Sequence, residues 1–70
     1  MATTLTTKAI TVDKLELGDK VWLHNRRWTL VGMQVEEYGV LAGRELNLRD
    51  IEGNQRVEFF CDFDVVTIEL

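Results

Sequence analysis

Leu15-Glu16-Leu17-Gly18-Asp19-Lys20-Val21-Trp22-Leu23-His24-Asn25-Arg26-Arg27-Trp28-Thr29-Leu30-Val31 is the stretch whose reading decides the fold. Leu15 and Leu17 read as apolar anchors, and Gly18, lacking a Cβ, permits a sharp turn. From Lys20 to His24 the chain alternates, Val21 and Leu23 on one parity, Trp22 and His24 on the other. That period of two is a half-buried strand. Asn25-Arg26 falls where a tight hairpin turn belongs, because Asn tolerates positive φ. Arg27 to Glu37 is the longest strand candidate. Trp28 and Leu30 share one parity, while Val31, Met33 and Val35 share the other. A change of face around Gly32 is what a β-bulge produces, and small barrels need such bends to close.

Upstream, residues 1–7 are threonine-rich with little to pack, and are expected to be a flexible tail. Ile10 and Val12 flank Thr11 as a short first strand. Downstream, Glu36-Glu37-Tyr38-Gly39 reads as a loop and Gly43 as a second flexible point. Val40-Leu41-Ala42 lies between them as strand or hairpin arm. Leu46 and Leu48 mark a half-buried strand, and Asp50-Ile51-Glu52-Gly53-Asn54 a turn. Arg56 to Cys61 alternates again, with Val57, Phe59 and Cys61 expected inside. Asp62-Phe63-Asp64 is read as one helical turn, and Val66, Ile68 and Leu70 as the last strand.

No stretch sustains a helical period, and glycines and valines oppose a helix between Glu36 and Leu48. The expectation is an all-β domain over residues 8–70: a small SH3-like, partly open barrel of five or six antiparallel strands. Leu23, Leu30, Leu48, Val57, Phe59 and Val66 are its expected core, with Trp28 more buried than Trp22.

Composition limits the function. Seventy residues make one domain with a modest core and little chain for a deep pocket. Cys61 is the one cysteine, so neither an internal disulfide nor a multi-thiolate metal site is available. His24 is the one histidine and has no second imidazole to share a metal. The chain shows no Gly-rich phosphate loop, nucleophile elbow or thiolate pair. No enzyme activity, cofactor or metal is expected. Neither a signal peptide nor a membrane-length apolar run is visible, which predicts a soluble cytoplasmic protein. Residues 1–30 carry a net charge of +2 and residues 31–70 a net −6. This balance does not favour a general nucleic-acid binder, but permits a local basic patch.

Trp22, His24, Arg26 and Arg27 gather around one hairpin, with Trp28 beside them. Aromatic and arginine side chains together are the composition of interface hot spots. These four are the candidate partner-binding residues, and a protein is the expected partner. Trp22 and Arg26 are assigned to one common face. Two alternatives stand. One is an RNA- or DNA-associated barrel using Lys20, Arg26, Arg27 and Lys8. The other is a small accessory or inhibitory protein, of the kind viruses encode, whose acidic half fills a basic groove. Glu52, Glu58, Asp62, Asp64 and Glu69 make up that half. A solvated face is the plainer account of them.

The run from Leu15 to Val31 resembles the opening of many SH3-like barrels, where a Leu-x-x-Gly-Asp turn feeds a strand, a short polar hairpin and an aromatic strand. It is similar in particular to the KOW-like first domain of the elongation factor P family. Leu46-Asn47-Leu48-Arg49-Asp50 and Gly53 fall where that family has a strand and a Gly turn. The resemblance spans about Leu15 to Glu69 and implies the barrel. That family carries a modified lysine in a Pro- and Gly-rich loop. The matching Glu36-Glu37-Tyr38-Gly39-Val40-Leu41-Ala42-Gly43 has neither lysine nor proline, so the ribosomal role does not carry over.

Overall fold

In the computed structural model, residues 6–38 and 41–70 are described. Strand β1 (Thr7–Thr11) leads into a 3-10 turn (Val12–Lys14). Then come β2 (Lys20–Leu23), β3 (Arg26–Tyr38), β4 (Leu41–Arg49), β5 (Gln55–Cys61) and β6 (Val65–Glu69). They form one antiparallel sheet in the order β1-β6-β2-β3-β4-β5. The sheet curls without closing, which makes the expected partly open, SH3-like barrel of six strands. Residues 1–5 of the expected tail lie outside the described residues. Thr7 already pairs with Glu69, and the Thr6 carbonyl accepts the Leu70 amide.

The core is Val12, Leu15, Val21, Trp28, Leu30, Leu46, Leu48, Val66 and Ile68, lining the concave side. Gly18 takes φ of 95° in the turn before β2, and the register of β3 against β4 slips between Leu30 and Gly32. The bulge therefore falls where the parity of the sequence changes. The hairpin turn is His24-Asn25, one residue earlier than Asn25-Arg26, with φ of 54° and 62°. Two successive left-handed residues give the twist that matches a two-residue β-hairpin.

Several expectations are corrected. Val57 and Phe59 are about half exposed, and Phe60 packs against the core in their place. β5 carries apolar groups on both parities, so alternation alone picks no inner face. Leu23 is only partly buried, packed against the core from outside it, and Leu17 is exposed. Glu36 to Tyr38 continue β3 instead of looping; Gly39 and Val40 lie outside the described residues. Gly43 is not a flexible point but a β4 residue crowded by Phe59 and the Phe60 carbonyl.

Asp62 to Asp64 form a tight turn and not a helical one, with the Asp64 amide on the Cys61 carbonyl. That turn draws the two ends of the sheet together. The Asp62 amide donates to the Ala42 carbonyl of β4, and the Asp62 carbonyl accepts from Asp13 in the 3-10 turn. The Asp62 carboxylate adds a bond from Arg44 Nε at 3.3 Å.

Candidate functional site

The four candidate residues divide between two faces of the hairpin. Directly opposed residues of an antiparallel pair share a face. Trp22 opposes Arg27, and Thr67 of β6 lies on the other flank of Trp22, so these three are on the convex side. Leu23 opposes Arg26 and follows the parity of Val21 and Trp28, so Arg26 is on the concave side. Trp22 and Arg26 therefore do not share a face, contrary to the assignment from sequence.

Arg26 is held there by two contacts. Its guanidinium carbon lies 5.5 Å from the centre of the Trp28 ring, within cation–π range. Its NH2 donates to Asp50 Oδ2 at 3.0 Å. Trp28 is buried and donates its Nε1–H to the Leu23 carbonyl at 3.2 Å. Asp50 is buried at the end of β4 and also accepts from the Asn54 side chain and from the amides of Glu52 and Asn54. Chief among the causes, the Asn54 side-chain bond holds the Asp50 carboxyl below its ordinary value. Burial opposes it, and the two amides and Arg26 reinforce it.

On the convex side, Glu69 Oε1 accepts from Trp22 Nε1 at 3.2 Å and from Arg27 NH1 at 3.3 Å, and Oε2 accepts from the same NH1 at 3.1 Å. At the turn, His24 Nε2 donates to Glu58 Oε1 at 2.9 Å, and Arg56 NH2 reaches the same oxygen at 3.2 Å. Glu58 Oε2 is buried, with no hydrogen-bond partner among the described residues. Burial pushes the Glu58 carboxyl up, but the bonds and charges of His24 and Arg56 together hold it below its ordinary value.

The acidic set is thus largely engaged within the chain. Glu58, Asp62 and Glu69 each meet a cation, and Asp64 Oδ2 accepts the Cys61 amide at 3.0 Å. Among the described residues, no group of three or more histidine, cysteine, aspartate or glutamate side chains is placed to hold a metal.

One element escaped the sequence reading. Lys20 opposes Thr29, Thr29 opposes Arg49, and Arg49 opposes Gln55, a polar row across β2, β3, β4 and β5 on the convex side. The alternation of Leu46 and Leu48 does turn Arg49 outward. Which strand lies beside it is a matter of topology that no local pattern records.

No protein-family model and no curated protein sequence matches the chain. Solved structures do. A translation initiation factor eif-5a family protein from Naegleria fowleri superposes with a TM-score of 0.81 at 13% identity, over 91% of this chain and 47% of that one. Eukaryotic translation initiation factor 5A from Methanococcus jannaschii superposes with a TM-score of 0.78 at 20% identity, over 91% of this chain and 51% of that one. The chain spans about half the length of each. The likeness is one of fold, and it agrees with the KOW-like, SH3-like barrel expected from Leu15 to Val31.

Proposed function

We propose that the chain is a non-enzymatic interaction module that takes up an extended segment of a partner protein along β5. The observation that carries this is the state of that strand. Among the described residues β5 pairs with β4 alone and ends the sheet, and its convex residues Val57 and Phe59 are 56% and 48% exposed. Phe63, in the turn that follows, is exposed as well. An edge strand with apolar side chains offers main-chain groups for pairing and side chains for selection. Trp22, His24 and Arg27 extend the same module at its hairpin. A photo-crosslinking side chain at Val57 tests this in an extract of the producing cells. It should capture one defined protein, whereas the same group at Ala9, on the opposite edge strand, should not. Equal capture from both positions would remove β5 as the docking strand.

A second reading is a nucleic-acid-associated barrel. It is favoured by the likeness in fold to two translation initiation factors and by the cations on the convex face. The third, an acidic half filling a basic groove, draws little support, because Glu58, Asp62 and Glu69 are already matched by cations of the same chain.

A further inference from the structure

We propose that the convex face of β2, β3 and β4 binds the phosphodiester backbone of single-stranded nucleic acid through Lys20, Arg27 and Arg49, with a base against Trp22. The inference rests on the second reading above and adds to it a site.

Its ground is the strand register. Lys20, Thr29, Arg49 and Gln55 stand side by side across four strands, a row about 14 Å long at the usual strand spacing. Each can donate a hydrogen bond from its side chain. Trp22 and Arg27 form the next convex row, two residues along β2 and β3. Three cations and an indole thus occupy one patch of a chain whose net charge is −4. Four of the arginines, including Arg27, have carboxylate partners; Lys20 and Arg49 have no ion pair among the described residues.

The acids nearby do not cancel the patch. Glu69 spends its oxygens on Trp22 and on NH1 of Arg27, which leaves the rest of that guanidinium fork for a ligand. Asp19, just before Lys20, turns its carboxylate to the Glu16 amide. Glu52 lies in the turn beyond Arg49, on an exposed loop. Cations that follow a charged strand, with an aromatic face for its bases, are the two parts of a single-strand platform. An acidic peptide would use the cations but leave the indole without a matching plane.

The test is a titration of the intact chain with short labelled oligo-uridine and oligo-thymidine, followed by anisotropy and by tryptophan emission. Three phosphate contacts predict a salt slope of about −2, since each single-strand contact contributes about −0.7. Binding should then weaken about twentyfold between about 50 and 200 mM salt. Emission should be quenched through Trp22, since Trp28 is buried. The double variant Lys20→Gln, Arg49→Gln breaks no ion pair among the described residues and should melt like the parent. Its slope should fall to about −0.7, with the salt effect reduced to about threefold. Preference for oligo-uridine would assign the ligand as RNA, and equal binding would assign recognition to the backbone alone. Unaltered binding by the double variant overturns the site while the second reading stands. Failure of both oligomers to bind at low salt overturns the two together. Displacement by a polyglutamate peptide as efficient as by oligonucleotide also overturns the proposal, because the face would then read acidic protein.

Discussion

The ring of Phe59 lies over Gly43 of the neighbouring strand, so close that a Cβ built on Gly43 would run into Phe59 Cζ. The glycine leaves a gap on the convex side of β4, and the aromatic ring from β5 fills it, as aromatic residues cover glycines in other sheets. The same Cβ would meet the Phe60 carbonyl oxygen at 2.7 Å, and that atom belongs to the backbone. Gly43→Ala should therefore destabilise the fold by about 1–3 kcal/mol, the usual range for overpacking. Adding Phe59→Ala relieves only the ring contact, so urea denaturation should show no full recovery in the double variant. Recovery to parental stability would mean that the backbone contact relaxes freely.

The two faces of β5 predict a contrast. Phe60 packs against the core, whereas Val57 is more than half exposed. Phe60→Ala should cost about 2 kcal/mol, less than the roughly 3–5 kcal/mol of a fully buried phenylalanine. Val57→Ala should stay within about 0.5 kcal/mol. Chemical denaturation of both variants checks the inner face of the strand directly.

The same strand shows where a sequence stops being legible. Gly18 and the bulge before Gly32 were readable because each is a local event: a glycine, or a change of parity, at the bend itself. Val57-Glu58-Phe59-Phe60 has bulky apolar groups on both parities, so its inner face is decided by what the barrel places opposite. The hairpin turn lies one residue before the position that the sequence suggests, because His24-Asn25 holds no glycine and either dipeptide containing Asn25 fits a hairpin. The pairs Arg26–Asp50 and Arg27–Glu69 join residues 24 and 42 positions apart and follow from topology alone. Trp22, His24, Arg26 and Arg27 are neighbours in the sequence, but neither their division between two faces nor the placing of Arg49 beside Thr29 can be read from it.

Acid should unfold the protein partly through Asp50 and Glu58. Both carboxyls are held below their ordinary values in the folded chain. A depressed folded value means that the unfolded state binds protons first as pH falls. The stabilisation is complete above the unfolded carboxylate range, near about pH 4, and disappears as pH drops through the folded values below it. Asp50→Asn should lower the melting temperature at neutral pH and flatten this acid limb. Melting curves between about pH 2 and 7 would show it, and an unchanged slope would assign the acid sensitivity elsewhere.

Stability and binding should separate at the hairpin. Trp28 is 4% exposed, its indole N–H bonded to the Leu23 carbonyl and its ring beneath Arg26. Trp28→Ala should cost about 3–5 kcal/mol, the range for removing a buried aromatic residue. Arg26→Ala removes the ring contact and the bond to buried Asp50, so it too should lower the melting temperature. Trp22 is only partly buried and hydrogen-bonds to Glu69 on the convex side. Trp22→Ala should lower stability less than Trp28→Ala does, while abolishing the tryptophan quenching assigned to the convex face. Arg26→Ala should leave that quenching intact, because Arg26 belongs to the concave side. Thermal melts and ligand titrations of the three variants are enough to check the assignment. Loss of quenching in Arg26→Ala at a temperature where the variant is folded would return Arg26 to the binding face and overturn the division drawn from the strand register.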